Sequence, residues 1–65
     1  MITVNGKVCP EADGMCLSAF LDQAGYDLNR VAVELNGAIV PKADYHTTGI
    51  KAGDQIEIVC FVGGG

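Results

Sequence analysis

Gln55-Ile56-Glu57-Ile58-Val59-Cys60-Phe61 is the stretch on which the fold turns. Ile56 and Ile58 alternate with Gln55 and Glu57, the period-two pattern of a strand with one buried and one solvated face. If Ile56, Ile58 and Cys60 face the core, Val59 and Phe61 point outwards. Two apolar side chains on a solvent face suggest a surface that a partner covers.

Val62 and three glycines, Gly63-Gly64-Gly65, follow directly. Glycine has no Cβ, so this run costs entropy to order, packs nothing and adds nothing to a sheet. Folding stability therefore does not account for it. What it supplies is bare backbone and, at Gly65, a free α-carboxylate on a stalk that reaches roughly 13 Å past the strand. Such a stalk is thin enough for a narrow channel. The expected functional group is the Gly65 carboxylate, with Gly63 and Gly64 threading a partner's site and Val59, Phe61 and Val62 forming the adjoining partner-binding surface. Residues 1–61 then make one folded domain, and residues 62–65 a flexible tail.

Backwards from the strand, Ala52-Gly53-Asp54 reads as a turn, and residues 42–51 as a longer connection that contains Tyr45, His46 and a Thr-Thr-Gly turn. Val31-Ala32-Val33-Glu34-Leu35 alternates, with Val31, Val33 and Leu35 on one face. Asn36-Gly37 then predicts a two-residue hairpin turn into Ala38-Ile39-Val40. Asn5-Gly6 gives the same signal between Met1 to Val4 and Lys7 to Cys9; Pro10 stops that hairpin, and residues 11–14 read as a polar loop. Between the hairpins, Leu17, Phe20, Leu21 and Ala24 recur at helical spacing, predicting a helix of about ten residues with one apolar face. Gly25 suits the position just past its end.

Hairpin, helix, hairpin, connection and final strand make an α+β order in which the helix covers one face of a mixed sheet of about five strands. The last strand goes beside the first, in the middle. This is the β-grasp arrangement. Leu17, Phe20 and Leu21 should meet Val33, Ile56 and Ile58 in its core.

Composition narrows the function. A chain of 65 residues makes one small domain that buries only about 60% of its unfolded surface, and its 49% hydrophobic content argues for a core rather than disorder. Its apolar runs fall short of the roughly 20 residues that a membrane span needs, and Met1 to Val8 lacks the pattern of a secretory signal. A cytoplasmic protein, monomeric when isolated, is expected. The net charge of −4, with no basic cluster, argues against nucleic acid. Cys9, Cys16 and Cys60 are an odd number without Cys-x-x-Cys spacing, so they indicate neither a disulfide framework nor a zinc site and read as reduced thiols. His46, alone in a polar loop, reads as solvated rather than catalytic or metal-binding.

Val31 to Pro41 with its ELNG turn, Gly53-Asp54-Gln55-Ile56-Glu57-Ile58-Val59 and the ending Phe61-Val62-Gly63-Gly64-Gly65 together resemble the thiamine-biosynthesis sulfur carrier family, ThiS, which has the ubiquitin-like β-grasp fold. The resemblance covers nearly the whole chain, although three glycines stand where the family has a terminal pair. It implies a carrier cycle. An ATP-dependent activating enzyme adenylates Gly65, a cysteine desulfurase or other persulfide donor supplies sulfur that displaces AMP, and the thiocarboxylate is delivered to thiazole synthase. The sequence has no phosphate-binding Gly-x-x-x-x-Gly-Lys loop, so ATP belongs to the activating enzyme, this chain binds no cofactor, and it acts as a co-substrate rather than an enzyme. A small molybdopterin-synthase-type carrier and a ubiquitin-like protein modifier share these features. A thiol-based redox or metal module is the competing reading from another class.

Overall fold

Both Asn-Gly pairs adopt the conformation that their sequence predicts. Asn5 and Gly6 have φ of 51° and 83°, and Asn36 and Gly37 have 53° and 87°, the doubly positive φ of a tight hairpin turn. The computed structural model describes residues 1–61. The first turn joins β1 (Thr3–Val4) to β2 (Lys7–Val8), and the second joins β3 (Val31–Leu35) to β4 (Ala38–Ile39).

The final strand, β5 (Gln55–Cys60), enters between the hairpins, giving a five-stranded sheet in the order β2-β1-β5-β3-β4. It runs parallel to β1, with Thr3 beside Gln55 and Val4 beside Ile56, and antiparallel to β3, with Val33 opposite Ile58. One face of this sheet packs on α1 (Leu17–Gln23). The architecture is the expected β-grasp.

The expected core is present. Leu17, Phe20 and Leu21 from α1 join Val31, Val33, Ile56 and Ile58 from the sheet, each at most 6% exposed. Burying one such side chain contributes roughly 1.5 to 3 kcal/mol, so a handful of them sets the stability of so small a domain. Ile2, just ahead of β1, joins them at 3% exposed, and three residues from the irregular connections fill the same core: Ala12, Tyr45 and Ile50, all at most 2% exposed.

These three correct the sequence expectation. Residues 11–14 are not simply a polar loop, because Pro10–Ala12 forms a 3-10 turn that drives Ala12 inward. The connection at residues 42–51 is likewise part of the packed body. Gly14 N–H donates to the Ile50 carbonyl, Ile50 N–H to the Met15 carbonyl and Leu17 N–H to the Thr48 carbonyl, at 2.9, 2.8 and 2.8 Å. Held this way, the connection places Ile50 in the core, and Tyr45 beside it donates its hydroxyl to the Val31 carbonyl at 3.4 Å.

The helix has seven residues rather than about ten. Its last turn closes early, because Gly25 takes φ 88° and its N–H bonds to the Asp22 carbonyl while Tyr26 N–H bonds to the Leu21 carbonyl. That pair of bonds around a left-handed glycine is the Schellman ending. Ala24 therefore lies outside the buried face and is exposed.

Candidate functional site

Strand β1 ends at Val4 while β5 continues to Cys60, so four of the six residues of the central strand have no strand neighbour on that side. Asn5 fills part of the gap. Its N–H donates to the Ile56 carbonyl at 2.8 Å, its Oδ1 accepts the Ile58 N–H at 2.7 Å, and its Nδ2 donates to the Ile58 carbonyl at 3.2 Å. A carboxamide presents the same acceptor and donor as a peptide group. One side chain thus continues the ladder where the backbone has turned away.

Asn36 does the equivalent at the other end of β5. Its N–H donates to the Gln55 carbonyl at 2.8 Å, its Oδ1 accepts the Gln55 N–H at 2.8 Å, and its Nδ2 donates to Asp54 Oδ1 at 3.0 Å. Asp54, 2% exposed, also accepts the Lys51 N–H at 3.0 Å and the Lys51 ammonium at 3.3 Å. Burial alone would push this carboxyl up, but the Lys51 N–H, the Asn36 amide and the Lys51 charge together hold it below the usual aspartate range. The start of the strand is thereby locked.

At its far end, Phe61 N–H donates to the Arg30 carbonyl at 2.7 Å. Arg30 closes a 3-10 turn, Leu28–Arg30, capped by Asp27, whose Oδ1 accepts the Asn29 N–H at 2.9 Å. Val59 and Phe61 are 59% and 58% exposed, facing away from the core as their parity predicts. Val62, Gly63, Gly64 and Gly65, the expected tail, lie outside the described residues.

Cys60 has the parity of Ile56 and Ile58, yet it is exposed rather than buried. Its register partner Val31 is buried, so the sheet is covered at that level on β3, while on β5 the core cluster ends at Ile58 and leaves the last residue of the strand outside it. Cys16 and Cys9 are half-buried. Cys16 occupies the N-cap of α1, with Sγ 3.3 Å from Ser18 Oγ and within 3.0 Å of the His46 carbonyl oxygen, and the Ser18 hydroxyl holds its thiol below the usual cysteine range. Burial pushes the Cys9 thiol up, and neighbouring Glu11 adds to this. Tyr45, weighed from sequence as a loop residue, is a core residue, while His46 is exposed.

Among the described residues no three His, Cys, Asp or Glu side chains gather as a metal site, and no helix is long and apolar enough to cross a membrane. A shallow groove of about 420 Å³ lies between the first hairpin and the end of α1, and no residue of β5 lines it. The distinctive surface is therefore the exposed end of the central strand. It is a projecting apolar edge rather than a pocket.

Comparison with known proteins places this geometry in a lineage. The family model described as the ThiS family matches residues 2–65. The chain belongs to the ThiS family. This ThiS-family chain is 33% identical to the crystal structure of the thiamine biosynthesis protein ThiS from Geobacter metallireducens, with a TM-score of 0.76 over 98% of this chain and 97% of that one. It is 41% identical over 64 residues to a thiazole synthase of Paramagnetospirillum magneticum, covering 98% of this chain but 20% of that protein. An uncharacterized protein, ycf40, of Porphyra purpurea is 31% identical over 98% of this chain and 90% of its own length. The ThiS-family chain thus spans about a fifth of the length of the thiazole synthase that it matches.

Proposed function

We propose that this ThiS-family chain is a sulfur carrier for thiazole formation in thiamine biosynthesis, with the carboxylate of Gly65 as the carrying group. The observation that supports it most is the central strand, clamped on both sides by Asn5 and Asn36, whose last residues stand exposed and lead into Val62-Gly63-Gly64-Gly65. The ThiS match favours the thiamine-type carrier over the molybdopterin-synthase type.

A carboxylate is a poor electrophile, so a partner must activate it. Attack of a Gly65 carboxylate oxygen on the α-phosphorus of ATP releases pyrophosphate and leaves an acyl adenylate. The terminal sulfur of a persulfide then attacks the carbonyl carbon and expels AMP. A second thiolate then attacks the donor's sulfur in the acyl disulfide that results, forming a disulfide with the donor and releasing the thiocarboxylate. In this scheme the chain is a protein co-substrate of the cytoplasm. ATP is bound by the activating enzyme, the persulfide comes from a desulfurase or similar donor, and thiazole synthase receives the sulfur. Gly63 and Gly64 lack side chains because they thread a narrow site, and Val59, Phe61 and Val62 give the enzymes an apolar grip beside it.

Intact-mass spectrometry after incubation with the activating enzyme, ATP and a persulfide source tests this reading. The expected product has one oxygen replaced by sulfur, placed on Gly65 by fragmentation. Sulfur on Cys60, or no mass change, would overturn the reading.

A further inference from the structure

Both hairpin turns set an asparagine immediately before a glycine, Asn5-Gly6 and Asn36-Gly37, and that pair has a chemistry of its own. The glycine nitrogen can attack the asparagine Cγ, because no side chain on the glycine shields it. The new C–N bond closes a five-membered succinimide, and the side-chain nitrogen leaves as ammonia, taking the proton of the glycine N–H. Water then opens the ring at either carbonyl, giving aspartate, or isoaspartate with one extra carbon in the main chain. Both turns are exposed, and among the described residues neither the Gly6 nor the Gly37 N–H donates a backbone hydrogen bond.

The two sites differ in the grip on the leaving nitrogen. For Cγ to reach the glycine, the carboxamide must first leave its partners on β5. Each Oδ1 accepts one backbone N–H, from Ile58 at 2.7 Å for Asn5 and from Gln55 at 2.8 Å for Asn36. Asn36 Nδ2, however, donates at 3.0 Å to Asp54, a buried carboxylate that the Lys51 N–H and ammonium help keep ionised. Asn5 Nδ2 donates at 3.2 Å to the neutral carbonyl of Ile58. A hydrogen bond to an ionised acceptor is roughly twice as strong as one between neutral groups.

We propose that Asn5 is a self-modification site of the folded protein, deamidating through Gly6 while the Asp54 carboxylate protects Asn36. The consequence falls on β5. The product carboxylate can still accept the Ile58 N–H, but it has no proton for the Ile58 carbonyl and sets a negative charge against that oxygen. Isoaspartate also lengthens the main chain of a two-residue turn, so the pairing of Val4 with Lys7 is disturbed as well. Either product loosens the side of β5 that β1 leaves open.

Peptide mapping by mass spectrometry, on the full-length chain aged at neutral pH in buffer and in urea, tests this. In urea both sites are unfolded Asn-Gly pairs and should react at similar rates. In buffer both should slow, Asn36 the more, so that Asn5 leads by on the order of 10-fold, the margin between a charged and a neutral acceptor. Asp54→Asn removes that charge and should bring the Asn36 rate up towards that of Asn5. The deamidated chain carries one more negative charge, so ion exchange isolates it, and in that fraction the Ile58 amide hydrogen should exchange faster by on the order of 10-fold. Asn36 keeping pace with Asn5 in buffer, or outrunning it, overturns the proposal. So does an Asn36 rate untouched by Asp54→Asn, or Ile58 exchange that is the same in the deamidated and parent chains. The two-site comparison in the parent decides the matter even if the variant unfolds.

Discussion

Asn5 and Asn36 each do two jobs, and only one is visible locally. Positive φ in a two-residue turn is a short-range property, so both turns can be read from Asn-Gly alone. The carboxamide bonds are different: Asn5 meets Ile58 at a sequence separation of 53, and nothing near residue 5 announces it. Asn5→Ala should cost about 1 to 3 kcal/mol, since it leaves the Ile58 N–H and carbonyl without their partner. Asn5→Gly eases the turn but loses the same bonds, so urea denaturation should show it failing to restore stability. A glycine variant as stable as the parent would mean that the bonds contribute little. Asp54 was legible as a turn residue but not as the acceptor for Lys51 and Asn36. Its folded pKa lies below its unfolded value, so its contribution is complete above the unfolded value of about 3.9 and fades as pH falls through the lower, folded one. Asp54→Asn should therefore be less stable than the parent at pH 7, with a smaller loss of stability on acidification below about pH 4. Parallel stability curves for the two proteins across that range would refute this.

At the scale of elements, periodicity made the helix and strands legible, and its absence hid the rest of the core. Leu17, Phe20 and Leu21 declare a buried face by their spacing, and Leu21 is fully buried. Leu21→Ala should cost about 2 to 5 kcal/mol, a large share of the stability of so small a domain, and thermal unfolding should register it as a markedly lower midpoint. Tyr45, Ile50 and Ala12 are as deeply placed, but they sit in irregular chain where no repeat marks the inner side. Ile50 is drawn in by the hydrogen bonds between residues 48–50 and 14–17, Tyr45 is held by the Ser18 N–H on its carbonyl, and Ala12 is turned inward by the 3-10 turn it ends. The helix was over-read by its last turn, because Ala24 fits the spacing while Gly25 ends the face. Gly25→Ala finds open space for its new methyl, so its cost is the left-handed backbone alone, roughly 1 to 2 kcal/mol. A neutral result in chemical denaturation would mean that the turn relaxes out of φ 88°.

For the molecule as a whole, strand order followed from the sequence of elements, because two hairpins flanking a helix leave the middle of the sheet for the final strand. The candidate site was legible on β5 in the outward set of Val59 and Phe61. The Asn5 and Asn36 bonds that hold β5 on its two sides were not, because a contact between distant segments is a property of both and neither declares it alone. On the proposed function, a β-branched residue at position 64 should slow thiocarboxylate formation, since a Cβ restricts φ and widens a chain that must thread a narrow site. Gly64→Val thiolated as fast as the parent would argue against a constricted channel. The placement of β5 also bears on folding kinetics. Each hairpin can form within about 1 to 10 μs, but neither completes the sheet, and joining Thr3 to Gln55 means closing nearly the whole chain. The transition state should therefore hold α1 and the β3–β4 hairpin with β1 still detached. Asn5→Ala would then accelerate unfolding and barely slow folding, whereas Leu21→Ala would act on both limbs of a chevron plot.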